Sequence, residues 1–310
     1  MNVSERDFLS IADLSADELE RLLDDADKVK SKPSKWSDRI AGRQVALIFE
    51  KPSTRTRVSF EVAVTSMGGH AIVLRSDELQ LGRGETIEDT GAVLSRYVDA
   101  LVVRTFEQER LERLAKAASI PVINALSDYS HPCQALADLQ TIREAKGRLQ
   151  ELALGYIGDG NNVAHSLLFA GSAMGMHVRV ATPPGYEPSP RVVERSAEIA
   201  AGAGGSVSAG NVVAEAASDA DVLYTDVWAS MGQESEASDR AGVFEQFRVD
   251  RDVLALAKDD AIVMHCLPAH RGEEISAEVI DGPRSVVWDQ AENRLHTQKA
   301  LLAWLLDPDT

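Results

Sequence analysis

Cysteine is nearly missing from this chain: Cys133 and Cys266 are the only two in 310 residues. Two thiols so far apart build neither a disulfide framework nor a cysteine-rich zinc site, and they suit a reducing compartment. Positive charge is also in deficit, with 32 Lys and Arg against 49 Asp and Glu and a net charge of −17. That balance excludes a nucleic-acid partner, which needs clustered cations. Among the basic residues Lys is the scarcer, most of the 32 being Arg. Such acidity fits either a merely acidic enzyme or one adapted to high salt, where screening tolerates self-repulsion; the scarcity of Lys favours the second. No apolar run approaches the roughly 18 residues of a membrane span. The start, Met-Asn-Val-Ser-Glu-Arg-Asp, has neither the basic residues nor the apolar stretch of a signal peptide. A soluble, cytoplasmic protein with no membrane partner is the expectation.

What is present is an alternation. The length suggests two domains, and a hydrophobic fraction of 44% suffices for their cores. Ser15-Ala16-Asp17-Glu18 reads as a capping box opening an amphipathic helix with Leu19, Leu22 and Leu23 on its apolar face. Short β-branched runs then alternate with helical stretches: Val45–Phe49, Ala71–Leu74, Ala100–Val103 and Pro121–Ile123, followed by a long helix from about His131 to Lys146. The pattern restarts with strands at Leu152–Ile157, Val178–Ala181, Val222–Thr225, Ala261–His265 and Val286–Trp288, and ends in a helix over about Glu292–Leu306. This predicts an α/β fold of two similar domains, each a mainly parallel sheet flanked by helices. The boundaries read as a first domain over 1–130, an interdomain helix over 131–150, a second domain over 151–288 and a terminal helix over 289–310.

Ligands of open α/β sheets bind beyond the carboxyl ends of the strands, so the loops there are the place to look for chemistry. After Val45–Phe49 comes Lys51-Pro52-Ser53-Thr54-Arg55-Thr56-Arg57, where hydroxyls, two arginines and helix N-terminal amides make a small anion site. A helix cap by Ser53 or Thr54 is the simpler reading, but capping leaves the two arginines unexplained. No G-x-x-x-x-G-K-[ST] pattern occurs, so the site is not a nucleotide P-loop. In Ser127-Asp128-Tyr129-Ser130-His131-Pro132-Cys133-Gln134, Pro132 takes the favoured first helical position, and His131 and Gln134 can face the same way. Alone, His131 would pass for a cap or a surface residue; Arg104, ending the neighbouring strand, could join it.

Gly158-Asp159-Gly160-Asn161-Asn162 resembles a dinucleotide turn, but Val163 stands where the last glycine belongs. A tight turn explains the glycines; the paired Asn amides suit a carboxylate or backbone-like group. Asp226 at a strand end can pair with an ammonium, and Ser230 and the Met231 amide can contact an amino-acid head group. His265-Cys266-Leu267-Pro268 puts a thiol at a sheet edge, although an isolated cysteine is more often buried and inert.

Together these segments resemble the aspartate/ornithine carbamoyltransferase family. The likeness rests on Ser53-Thr54-Arg55-Thr56-Arg57, Arg104-Thr105, His131-Pro132-Cys133-Gln134, Asp159-Gly160-Asn161-Asn162, Asp226 to Gly232, His265-Cys266-Leu267-Pro268 and Ala291-Glu292-Asn293-Arg294, in family order over nearly the whole chain. The Ser-Met-Gly and His-Cys-Leu-Pro elements look like the ornithine-using branch. The resemblance implies transfer of a carbamoyl group from carbamoyl phosphate to the Nδ amine of L-ornithine, giving L-citrulline and phosphate. The setting would be arginine metabolism, in synthesis or in reverse in arginine breakdown. It implies that Ser53, Thr54, Arg55, Thr56 and Gln80 hold the phosphate, and that Arg104 bridges phosphate and carbonyl oxygen. His131 would polarise the carbonyl, Gln134 would bind the carbamoyl NH2, and the backbone at Cys266 and Leu267 would accept from that group. Arg294 would reach back from a terminal helix that crosses to the first domain. Asn162, Asp226, Ser230 and Met231 would hold ornithine's head, with Cys266 beside its side-chain amine. A cis bond before Pro268, a homotrimer or multiple of trimers, and closure after ordered binding are further family expectations.

No metal or organic cofactor is implied, because the donor is already an activated mixed anhydride. The amine must lose a proton before it attacks. Arg104 and His131 would stabilise the oxyanion with help from Thr56 and Arg294, and Arg55 would stabilise the leaving phosphate. Cys266, Asp226 or that phosphate could take the proton. Rival readings fare worse. An aspartate-using enzyme needs cations where Asp226 stands, a diamine-using one has no carboxylate for Asn162, and a nucleotide-dependent oxidoreductase needs glycine at 163.

Overall fold

The computed structural model describes residues 7–75, 84–229 and 237–307. The chain divides into two units, Met1–Leu136 with Asn293–Thr310, and Ala137–Glu292. Gln80, Ser230 and Met231 lie outside the described residues.

The first unit holds strands β1 (Gln44–Phe49), β2 (His70–Arg75), β3 (Ala100–Arg104) and β4 (Val122–Leu126), with helices α1 (Ala16–Ser31), α2 (Thr54–Ser66), α3 (Ile87–Leu94) and α4 (Gln108–Ala117). Its strands are all parallel, in the order β2-β1-β3-β4. The chain thus steps one way from β1 to β2 and the other way to β3, so the strand order reverses between β1 and β3. Register puts Phe49 opposite Arg104, so the loops that follow β1 and β3 leave the sheet side by side. Ile48, Leu101, Val103, Leu111 and Leu114 form one core cluster here. The predicted capping box starts α1: Ser15 Oγ accepts from Glu18 N at 3.3 Å while Ser15 N donates to Glu18 Oε2 at 2.8 Å.

Helix α5 (Pro132–Lys146) leads into the second unit, with β5 (Ala153–Ile157), α6 (Asn162–Ala173), β6 (His177–Ala181), α7 (Pro190–Ala203), β7 (Ser206–Gly210), α8 (Val213–Ala217) and β8 (Val222–Thr225). Then come α9 (Ala237–Phe244), α10 (Arg251–Leu256), β9 (Ile262–His265) and α11 (Ala277–Ile280). The parallel order β7-β6-β5-β8-β9 reverses between β5 and β8. Thr225 pairs with His265, so the next residues, Asp226 and Cys266, emerge as neighbours. Helix α12 (Val287–Leu306) closes the chain. From Asn293 onward it belongs to the first unit, fastened by Lys30 Nζ to Asn293 Oδ1 at 2.8 Å and by Arg39 to Asp307 at 2.8 Å.

The structure corrects one predicted strand and adds another. Val286–Trp288 is not a strand: Val286 N bonds Val263 O, but Val287 already opens α12, and Gln290 N donates to Val286 O. The apolar run is a helix start, of which Val287 is buried in the core while Trp288 stays exposed. The strand β7 escaped prediction because it lies at the sheet edge and is largely exposed, so no apolar pattern marks it.

Residues preceding α1 add a strap to β4: Phe8 N donates to Val122 O and Asn124 N to Phe8 O. Asp7 accepts from Val122 N at 2.8 Å, and burial pushes its carboxyl up from 3.8 to about 6. The folded state therefore holds this proton more tightly than the unfolded chain. The resulting stability is complete below about pH 4 and is lost as pH climbs through about 6. The full loss is about 3 kcal/mol, reduced to roughly half for a partly exposed group. Asp7→Asn keeps the acceptor for Val122 and removes the charge. It is expected to melt about 2–4 °C above the parent at pH 8, with the gap closing below pH 5. A variant melting below the parent at pH 8 would refute the assignment.

Candidate active site

In the first unit three loops end at one buried constellation. Ser53 caps α2, its hydroxyl accepting from Thr56 N at 3.3 Å, so the capping reading of this loop is right as far as Ser53 goes. Capping fixes the first turn and leaves Thr54 and Arg55 exposed on it. Thr56 is buried, and its Oγ1 accepts from Arg294 NH2 at 3.1 Å. Arg294 NH1 donates to Gln134 Oε1 at 2.7 Å. Helices α2, α5 and α12 are thus joined through one guanidinium, itself only 5% exposed.

His131 stands just before α5, where its carbonyl accepts from Gln134 N and Ala135 N. Its imidazole is buried. Burial first, then the positive charges of Arg294, Arg104 and Arg55, hold its pKa well below 6.5. A neutral imidazole can donate one N–H to a carbonyl oxygen without bringing a net charge. Arg104, also buried, ends β3 beside it in this field. Cys133, one residue into α5, plays no such part: its buried thiol donates to Asn124 O, and burial pushes its pKa to about 12.

In the second unit, Cys266 Sγ donates to Asp226 Oδ1 at 3.0 Å, and Asn161 Nδ2 donates to Asp226 Oδ2 at 2.9 Å. Asn161 also caps α6, its Oδ1 accepting from Val163 N and Ala164 N. The two adjacent Asn therefore divide their work: Asn161 locks the carboxylate, and Asn162 is buried in the first turn of the helix. Gly160 has a tighter reason to be glycine, since a Cβ there would lie 2.3 Å from Pro188 N. Asp159 turns away from the site to a buried ion pair with Arg240 at 2.9 Å, and Arg240 also donates to Trp228 O at 2.8 Å, fixing the loop beyond Asp226.

The cysteine loop is held just as firmly. His265 Nδ1 accepts from Leu267 N at 2.9 Å, so its proton is on Nε2, which donates to buried Glu274 at 3.0 Å. Leu267 adopts φ +59° and is followed by the expected cis peptide to Pro268. Asp226, His265 and Cys266 bring three ligand-type atoms within 4.8 Å of one another. Both imidazole nitrogens are committed to those hydrogen bonds, so a metal would have to break one. Sequence reasoning missed the supports Arg240 and Glu274 and gave Lys51 and Asp128 no role of their own, while Asn161, read as an amide for a ligand carboxylate, holds the carboxylate of Asp226. Only the acidic and basic residues beside known motifs could have signalled them.

Comparison with known proteins covers both units. The carbamoyl-P binding domain of aspartate/ornithine carbamoyltransferase matches residues 6–144, and the Asp/Orn binding domain matches 150–305. An ornithine carbamoyltransferase of Parafrankia sp. is 63% identical, covering 98% of this chain and 97% of that protein. The structure of ornithine carbamoyltransferase from Pyrococcus furiosus is 53% identical with a TM-score of 0.94, covering 100% of this chain and 99% of that one. An acetylornithine transcarbamylase complexed with acetylcitrulline is 32% identical with a TM-score of 0.85, covering 97% and 99%.

Proposed function

The chain belongs to the aspartate/ornithine carbamoyltransferase family, and on that premise we propose that it moves the carbamoyl group of carbamoyl phosphate to the Nδ amine of L-ornithine, giving L-citrulline and phosphate in arginine metabolism. The observation that carries the acceptor is the Asp226–Cys266 pair, an acidic, thiol-bearing pair at two neighbouring strand ends, suited to a cationic amine and wrong for an extra carboxylate.

In this reading the first unit takes the donor. Ser53, Thr54, Arg55, Thr56 and Gln80 bind its phosphate, Arg104 and neutral His131 donate to the carbonyl oxygen, and Gln134 meets the NH2 group. As Nδ attacks the carbonyl carbon, negative charge grows on that oxygen, where preorganised donors contribute several kcal/mol. The C–O bond to phosphate then breaks, and Arg55 stabilises the anion that leaves. The second unit takes the acceptor, with Asn162, Asp226, Ser230 and Met231 around the amino-acid head and Cys266 and Leu267 near the reacting groups. Because the Cys266 thiol gives its hydrogen to Asp226, the proton released by the amine has two acceptors, that carboxylate and the departing phosphate. The roles of residues 1–130 and 151–288 as donor and acceptor domains belong to the same proposal, as do a trimer-based assembly, a cytoplasmic setting and adaptation to salt. Among the described residues no helix is long and apolar enough to cross a membrane.

The test is citrulline formation from carbamoyl phosphate, with ornithine, N-acetylornithine, aspartate and putrescine compared in dilute buffer and in molar KCl. Turnover is expected with ornithine only, rising with salt, as the charge of −17 demands screening. Carbamoylation of another amine would overturn the acceptor assignment; full activity and stability in dilute buffer would overturn the salt adaptation.

A further inference from the structure

We infer that Lys51 is a positioning residue of the carbamoyl phosphate site, acting through Asp128 and Phe106; the inference rests on the reading of that site above. Lys51 is only 5% exposed. A buried ammonium is costly unless it is paired, and this one pairs with Asp128 and lies 4.4 Å from the centre of the Phe106 ring. The three partners come from three different strand ends. Lys51 follows β1 and precedes Ser53 and Arg55, Phe106 follows β3 two residues after Arg104, and Asp128 follows β4 three residues before His131.

Backbone bonds complete the triangle. Asp128 N donates to Phe106 O at 2.7 Å and Thr105 N to Leu126 O at 3.0 Å. The preceding residue, Glu50, fastens the same β3 loop from the other side: its carboxylate accepts from the Thr105 hydroxyl and pairs with Arg110 at 2.8 Å. One cation therefore ties together the loops bearing the phosphate hydroxyls, Arg104 and His131. Its charge is already answered by Asp128, so it acts on their spacing. Slack of about 1 Å between such groups costs roughly 10²-fold in rate.

A double-mutant cycle tests this with Lys51→Met, Asp128→Asn and the pair, reading kcat, both KM values and the melting temperature. Each single change is expected to lower kcat/KM for carbamoyl phosphate roughly 10–100-fold with the KM for ornithine unmoved. The double variant should be no worse than Lys51→Met, and Lys51→Arg, which can still pair and stack, should recover most activity. Asp128 is exposed, so Asp128→Asn probes the contact without endangering the fold. The inference is overturned if Asp128→Asn is silent while Lys51→Met is damaged, if the two losses multiply, or if only the melting temperature moves. A wild type that does not use carbamoyl phosphate at all would sink the site reading instead.

Discussion

Asp226→Asn is expected to lower kcat/KM for ornithine about 10²-fold while leaving the KM for carbamoyl phosphate unchanged. Both oxygens of Asp226 face donors, the Cys266 thiol at 3.0 Å and the Asn161 amide at 2.9 Å. The substituted amide replaces one acceptor oxygen with an NH2 group, which then confronts one of those donors. It also removes the negative charge that an amino-acid cation would meet. A hydrogen bond to a charged group contributes about 1.5–3 kcal/mol, or roughly 10–100-fold in binding, before any loss in proton transfer. The conservative companion is Cys266→Ser, whose hydroxyl still donates to Asp226 and which should keep far more activity than Cys266→Ala. Steady-state kinetics with each substrate varied in turn separates the effects. An Asp226→Asn enzyme with parental kcat and parental KM for ornithine would remove Asp226 from the site.

The placement of these groups shows what a sequence can and cannot announce. The alternation of short β-branched runs with helices was enough to predict two parallel sheets, because strands covered on both faces are apolar throughout. Asp226 and Cys266 could each be suspected at a strand end, yet their adjacency depends on β8 and β9 pairing in the register Thr225 to His265. That register is a long-range property with no local signal. The same limit hid Asn161, which looks like half of a repeated Asn until Asp226 arrives from 65 positions away to accept its amide. Arg294 was placed by resemblance alone. Nothing in its own helix predicts bonds to Thr56 and Gln134. Edge strand β7 has no apolar pattern to announce it, and the helical start at Val287 carries a β-branched run that argued for a strand until packing decided otherwise.

Resemblance leaves the protonation state of His131 open, and the structure supplies it. Burial is the largest cause of its depressed pKa and Arg294 the next, ahead of Arg104 and Arg55. An imidazolium there would add a positive charge to three others, whereas the neutral ring adds a donor only. The acid limb of the pH–rate profile should therefore not be set by an ordinary histidine near 6.5. Protonating His131 lies well below that value, and activity at pH 6 should be limited by the amine's own protonation.

Arg294→Met carries this logic to its largest consequence. Methionine matches the length of the stem but leaves Thr56 Oγ1 and Gln134 Oε1 without the donors they have at 3.1 and 2.7 Å. Removing one preorganised donor from an oxyanion site typically costs about 10²–10³ in kcat, and here two fastenings of the site go as well. The loss should appear in kcat and in kcat/KM for carbamoyl phosphate. Removing a positive neighbour also makes imidazolium less unfavourable, so the His131 midpoint, followed by NMR of the ring, should move up. It should still stay below an ordinary histidine, because burial remains the larger cause. Arg294→Lys separates the two contributions. Lysine keeps the charge but not the fork that reaches two acceptors at once, so its His131 midpoint should stay near the parent's while the rate falls. Equal midpoints in all three proteins would show that Arg294 does not set the charge state of His131. Parental rates in Arg294→Met would show that the junction of α2, α5 and α12 is scaffolding alone.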